Sequence, residues 1–272
     1  LSSDPPEGRY RMDFSIVTPV YNDPRIRSTI ESVRRQRTDF DVEHVVVDGM
    51  STDETVAVID EHAEEIDRLI RDDDDGVYDA MNAGIEAATG EVVGILNADD
   101  RYQDGSVLQD VHDRLRETGA ETAYGDLVYV DDDDEVVRYW ESGGFEPYKF
   151  YLGWAPPHPT FFVRRSLYGA YGTFDQSFPI AADVRGRDVV LLQEPKHEFV
   201  VGRVLVRMAN GGQSNESVGN MLKAVEEMYR SWRKHRLTGR YVAPFLHPVE
   251  KVPQFVRRPP TEAADHQLPT RG

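Results

Sequence analysis

The sequence predicts an α/β fold with a mostly parallel central sheet between layers of helices. Two observations carry that reading. Short apolar, β-branched runs alternate with amphipathic helical stretches through the first hundred residues, a spacing that calls for right-handed crossover units and a parallel sheet. The acidic residues Asp48 and Asp99 each stand where an apolar run has just ended, and ligands of such sheets bind at the carboxyl ends of the strands.

Taken in order, "FSIVTPV" (14–20) reads as a buried strand. It leads into a helix with Asp23 as N-cap, Pro24 at the first helical position, and Ile26, Ile30 and Val33 on one face. "EHVVVD" (43–48) is a second strand, followed by Gly49 and a helix opening at Ser51-Thr52-Asp53 with Val56, Ile59, Ala63 and Ile66 aligned. Leu69 and Ile70 mark a short third strand. Tyr78, Met81, Ile85 and Ala88 mark the next helix, and 92–97 the next strand. The second half changes character. A helix over 105–116 precedes strand-like 122–130, 136–140, 159–163 and 198–208, which suggests a mixed sheet. From Val218, the residues Met221, Leu222, Val225, Met228, Tyr229 and Trp232 form a helical stripe. The expected organisation is a lead (1–12), one main domain (13–214) and a C-terminal helical extension with a basic, partly disordered tail (215–272).

Composition bounds the chemistry. The 272 residues suffice for one sizeable core with an appendage. There is no cysteine, so disulfides, thiolate nucleophiles and thiolate metal sites are excluded. No apolar run approaches the roughly 18 residues of a membrane span, and no signal peptide opens the chain; a cytoplasmic location is expected. The formal net charge is -18, with 49 acidic and 31 basic residues. Only five of the basic residues are lysines. Such a surface suits a protein from a salt-loving archaeon, where molar salt screens self-repulsion, and disfavours duplex nucleic acid as a partner. The charge is uneven: 230–258 holds eight basic residues and one acidic residue.

Two adjacent carboxylates, Asp99-Asp100, follow the apolar run at 92–96. Buried carboxylates need partners. They would cap the next helix or hold a hard cation, and their place at a strand end favours the cation.

Four pieces line up along the chain: "SIVTPVYND", "VVVDGMSTDET", "DGVYDAMNAGIEAATGEVVGILNADD" and "GTFDQSFPIAAD". Together they resemble the family-2 glycosyltransferases of the GT-A fold, over residues 14–214. The resemblance implies transfer of a sugar from a nucleotide-sugar donor (a UDP- or GDP-sugar) to a glycan or lipid-linked acceptor, with inversion at the anomeric carbon and assistance from Mg2+ or Mn2+. It places Thr18, Pro19, Tyr21 and Asn22 in the nucleotide pocket, Asp48 on the base, and Asp74, Asn82, Asn97 and Ala98 around the donor. Asp99 matches the last position of the Asp-x-Asp metal motif, and Asp183 the site of the catalytic base. Asn97 stands where many relatives carry the first Asp, which leaves open whether Asp99 acts alone or with Asp100. A sugar-nucleotide pyrophosphorylase would need a Gly-rich loop after the first strand, and "TPVYNDPR" has no glycine. A catalytically silent binding protein of the same fold is the remaining alternative.

Other features have a plain reading beside the functional one. Asp48 would meet a base or, as the less favoured alternative, merely cap the next helix through the Gly49 turn. The Asp runs at 72–75 and 131–134 are solvated loops in so acidic a chain. His158 would contact metal, diphosphate or acceptor, or pack in its loop; Arg164 would bind phosphate or acceptor, or face solvent. The triplet Asn215-Glu216-Ser217 fits a glycosylation sequon, a pattern common by chance. The basic, aromatic stretch "RYVAPFLHPVEKVPQFVRR" (240–258) suits an anionic membrane surface or packing against the acidic body.

Overall fold

Seven consecutive buried residues, Phe14–Val20, form the central strand β1 in the computed structural model of the chain. The structure describes residues 12–146, 148–149, 154–175 and 197–209, with 226–227, 229–230, 254 and 257. Strands β2 (Val42–Asp48) and β4 (Val92–Ile95) flank β1 in parallel, and β3 (Arg68–Arg71) adds outside β2, also parallel. Burial on both faces explains why β1, β4 and most of β2 read as continuous apolar runs rather than alternating ones, whereas β3, at the edge, is mostly exposed.

The other half of the sheet is mixed. It contains β5 (Asp100–Tyr102), β6 (Thr122–Val130), β7 (Val136–Trp140), β8 (Phe162–Arg164) and β9 (His197–Ala209). The order is β3-β2-β1-β4-β8-β6-β9-β5, with β7 on β6. Helix α3 (Val77–Ala87) packs Ala80, Met81 and Ile85 against Val17, Val45 and Val93 on one face. On the other face α1 (Ile26–Arg34) and α2 (Glu54–Glu61) cover Val20 and Val46, and α4 (Val107–Thr118) covers Phe14, Ile16 and Leu127. A short α5 (Arg165–Tyr171) follows β8. Gly84 lets α3 lie directly on β1, because a Cβ there would overlap the Val17 side chain.

Local details depart from the sequence reading. Helix α2 ends at Glu61 and buries Thr55, Val58 and Ile59; Ala63 falls in an exposed 3-10 turn. With Asp53 capping through Thr55 N at 3.0 Å, the helix is too short to carry a stripe to Ile66. β4 stops at Ile95, because residues 97–100 turn tightly, with Asp100 N bonded to the Asn97 carbonyl at 3.0 Å. Pro159, with no N–H to give a ladder, lies in a 3-10 turn, so β8 starts at Phe162. The three-residue β5 carries no sequence signature of its own. The expected boundary at 214 and most of the C-terminal extension lie outside the described residues.

Candidate functional site

The parallel half of the sheet ends in a lip formed by the loops after β1, β2, β3 and β4. Val20 pairs with Asp48, and Asp48 with Arg71. The first two loops are fastened together: Asn22 N donates to Ser51 Oγ at 2.9 Å, Thr52 N to Asn22 Oδ1 at 2.8 Å, and Gly49 N to the Val20 carbonyl at 2.9 Å. Asp48 is 1% exposed. Its Oδ1 accepts from Ser51 N at 2.9 Å and its Oδ2 lies 3.4 Å from Arg71 Nε, which leaves it partnered on both oxygens. Asp74, in the loop between β3 and α3, comes close to Gly49 of this loop. A Cβ on Gly49 would sit 2.6 Å from Asp74 Oδ2, so a larger residue there would push the Asp74 carboxylate away from this loop. Burial, aided by Asp79, Asp73 and Asp48 nearby, pushes the Asp74 carboxyl upward, and its Oδ1 accepts from Gly76 N at 3.0 Å.

The Asn97–Asp100 turn is held by α1. Thr29 Oγ1 lies 3.3, 2.9 and 2.7 Å from the carbonyls of Asn97, Ala98 and Asp100. The turn separates the two carboxylates. Asp100 is fully buried, and its Oδ2 accepts from Asn97 Nδ2 at 2.9 Å. Its Oδ1 has no hydrogen-bond partner, and burial, then the Asp99 charge, pushes its carboxyl well up. The Asp99 side chain keeps 14% exposure and lies 3.6 Å from the Arg25 guanidinium. Burial raises this carboxyl too, and Arg25 works against that rise. Arg25 is itself gripped by both oxygens of Asp23, at 2.8 and 2.6 Å.

The remaining expected site residues sort themselves by contact. Tyr21 is exposed at the lip, Pro19 is buried in β1, and Thr18 has no exposed surface: its hydroxyl meets His44 Nε2 at 3.0 Å, beneath the lip. Ala98 is buried against α1 and α2. Asn82 does not present its amide to the cleft. It makes a reciprocal pair with the Phe174 backbone, Nδ2 to carbonyl at 2.9 Å and N to Oδ1 at 2.8 Å. Phe174 also packs on Tyr78 and meets the His158 ring edge-on at 5.6 Å. Arg164 pairs with Val92 at the amino end of β4, the far end from Asp99, and is bound by Glu91 and Glu121. It belongs to the frame rather than to the lip. Asp183 lies outside the described residues.

Residues 15–174 match the family model described as "Glycosyl transferase family 2". The chain belongs to glycosyltransferase family 2. Over 174 residues it is 35% identical to the "PGL/p-HBAD biosynthesis glycosyltransferase" of Mycobacterium tuberculosis, a match covering 62% of this chain and 66% of that protein. A "Glycosyltransferase GlyG" of Streptococcus pneumoniae is 26% identical over 48% of this chain and 44% of its own. The chain thus spans about two-thirds or less of these relatives. Its fold is similar to that of S. aureus TarS 1-349 in complex with UDP-GlcNAc (TM-score 0.65, 18% identity, 82% of this chain and 66% of that one). It is also similar to the mannosyltransferase PcManGT of Pyrobaculum calidifontis in complex with GDP-Man and Mn2+ (TM-score 0.63, 18% identity, 91% and 74%). The family-2 chain has a GT-A-like α/β fold.

Among the described residues, no cluster of three or more His, Asp or Glu would hold a metal ion by itself. The lip therefore does not fit an ion caged by protein alone. It does fit a hard ion on one carboxylate whose other ligands come from a bound diphosphate and water: Asp99 reaches the surface, beside Arg25, whereas Asp100 is turned inward. Arg25, Arg71 and His44 were not singled out in the sequence. Arg25 follows the Asp-Pro helix start and Arg71 ends the third strand, so their placement beside the two acidic strand ends was readable. His44, inside β2, carried no signal.

Proposed function

We propose that this family-2 member moves a sugar from a nucleotide diphosphate sugar to a glycan or lipid-linked acceptor, with inversion and with a divalent ion on the donor. The observation that carries the reading is that Asp48, Asp74 and Asp99 stand on one lip, with Asp99 the carboxylate of the β4 turn that reaches the surface while Asp100 is buried. Asp48 takes the polar edge of the base, Asp74 closes on the donor beside Gly49, and Asp99 holds the ion, Mg2+ or Mn2+. When bound, that ion supplies positive charge against the negative charge developing on the leaving diphosphate. Arg25, beside Asp99, adds a fixed cation at the same place.

The acceptor hydroxyl needs a carboxylate opposite the departing diphosphate to take its proton. Asp183 is the residue assigned this role, with Asp175 as the competing carboxylate. Asn82 acts one step back, fixing the Phe174 backbone just before that segment. The formal net charge of -18 supports a high-salt setting, in which the self-repulsion is screened. Among the described residues no helix is long and apolar enough to cross a membrane. The test is release of nucleoside diphosphate from UDP- and GDP-sugars in molar KCl with and without Mn2+. Ion-dependent release supports transfer chemistry; donor binding with no release under any acceptor mixture supports a silent binding protein.

A further inference from the structure

At the end of the sheet away from the lip, a cavity of about 580 Å3 opens between α3 and α5. Arg164, the partner of Val92 at the amino end of β4, is part of its wall and fixes its place. Asp48, Asp74 and Asp99 take no part in its lining. Its volume falls within the roughly 300–1,000 Å3 of small-molecule sites.

The groups that line it lack partners. Arg165 gives its Nε to the Gly90 carbonyl at 2.9 Å, and among the described residues its two terminal nitrogens meet no acceptor. The hydroxyls of Ser166, Tyr168 and Thr173 and the carboxylate of Glu86 likewise make no hydrogen bond among the described residues. Tyr168 is half-buried, and its ring packs on the core beneath α3. Burial raises its phenol, which stays protonated and able to donate at neutral pH. A phenol set into a wall in this way normally has a partner for its O–H; here it lines the cavity instead.

Charge narrows the ligand. Arg164 and Arg165 are matched in the lining by Glu86 and Glu91, and Arg164 is already bound by Glu91 and Glu121. An anion would meet carboxylates and a cation would meet guanidiniums, so a net charge gains nothing here. The lining offers unengaged donors on Arg165, an unengaged acceptor on Glu86, hydroxyls that do both, and an apolar surface at Ile85. A neutral polyol matches that set, because each of its hydroxyls both donates and accepts and its C–H faces are apolar.

We propose that this cavity is a second carbohydrate-binding site, taking a neutral sugar or short glycan at the opposite end of the sheet from the lip. Arg165 and Glu86 engage its hydroxyls from the rim, Tyr168 bonds to it from the wall, and Ile85 receives an apolar face. The site holds a glycan without acting on it, and it does not depend on a nucleotide bound at the lip.

Titration of the full chain with neutral gluco-, manno- and galacto-disaccharides, glucuronate and inorganic phosphate, read by calorimetry and protein-observed NMR, tests this. At least one disaccharide is expected to bind, more tightly than glucuronate or phosphate, and to remain bound under saturating UDP or GDP with Mn2+. Tyr168→Phe keeps the ring and removes only the hydroxyl. It should weaken the sugar by about two- to tenfold, the size of one hydrogen bond, at an unchanged melting temperature. Arg165→Ala should weaken it by about tenfold or more, since its bonds are charge-assisted. Tyr168→Phe decides where Arg165→Ala does not fold. Absence of binding by every disaccharide overturns the proposal, as does equal affinity in wild type and folded Tyr168→Phe. Tighter binding of phosphate or glucuronate overturns the neutral ligand, and displacement of the sugar by UDP or GDP overturns the separate site.

Discussion

Arg138 and Gln254 are 116 residues apart in the chain and meet in its interior. The Arg138 guanidinium donates from Nε to Gln254 Oε1 at 2.8 Å, and from Nη2 to the same oxygen. It also lies over the Tyr129 ring at 4.4 Å. Both side chains are buried. Three residues further on, Arg257 pairs with Glu141, just beyond β7. The two described residues of the stretch 240–258 therefore contact β7 and the residue that follows it. The register row they join crosses four strands, from Arg138 to Tyr129 to Met208 to Asp100.

A buried guanidinium that loses an acceptor incurs a desolvation cost of about 1–3 kcal/mol. Gln254→Ala should lower unfolding stability by that amount in a denaturant titration, and Gln254→Glu, which keeps the acceptor, should not. Equal midpoints for wild type and Gln254→Ala would show that the contact does not hold the folded chain together.

Asn82 bridges α3 to Phe174 through two buried bonds. Asn82→Ala leaves a backbone N–H and carbonyl at Phe174 without these partners, at a cost of about 2–4 kcal/mol. The expected result is a lower melting temperature and slower turnover with donor affinity nearly unchanged. A large loss of donor affinity at full stability would return Asn82 to direct donor contact.

His44 is buried in β2, and burial alone holds its imidazole down to about 4. The folded value lies below the ordinary 6.5, so the unfolded chain takes up a proton first as pH falls. The stability that depends on neutral His44 is complete above about pH 6.5 and is lost between about 6.5 and 4, by up to about 3 kcal/mol. Stability measured from pH 7.5 to 4.5 should slope downward in wild type and less steeply in His44→Gln. Parallel slopes would remove His44 as the cause.

With a formal charge of -18, the folded chain repels itself at low ionic strength, and added salt shortens the range of that repulsion from about 30 Å at 0.01 M to about 3 Å at 1 M. The melting temperature should climb steeply from millimolar to molar KCl. A flat profile would argue against the high-salt setting.

The parts of this molecule that were legible in the sequence are those in which one strand or helix face decides the outcome. β1, β2 and β6 were readable as apolar runs because both faces of each are buried, and Asp48 and Asp99 because a carboxylate at the end of such a run has few plain explanations. What stayed hidden depends on partners far along the chain. Asp99 and Asp100 are both acidic in sequence; the Asp100 carboxylate is taken inward by the nearby Asn97 amide, in a turn that the distant Thr29 hydroxyl holds. Asn82 sits in the donor-motif segment, yet Phe174 engages its amide. Arg164 follows an apolar strand just as Asp99 does, but β8 runs antiparallel to β4 and so delivers it to the opposite end of the sheet.

The central claim is that Asp99 alone, at the surface of the turn after β4, holds the ion on which donor binding depends. Calorimetry of UDP- and GDP-sugar binding with and without Mn2+, in wild type, Asp99→Ala and Asp100→Asn, tests it most directly. The account predicts that Mn2+ strengthens binding in wild type and in Asp100→Asn, and has no effect in a folded Asp99→Ala. Equal Mn2+-dependent affinity in wild type and Asp99→Ala, or its loss in Asp100→Asn alone, would contradict it.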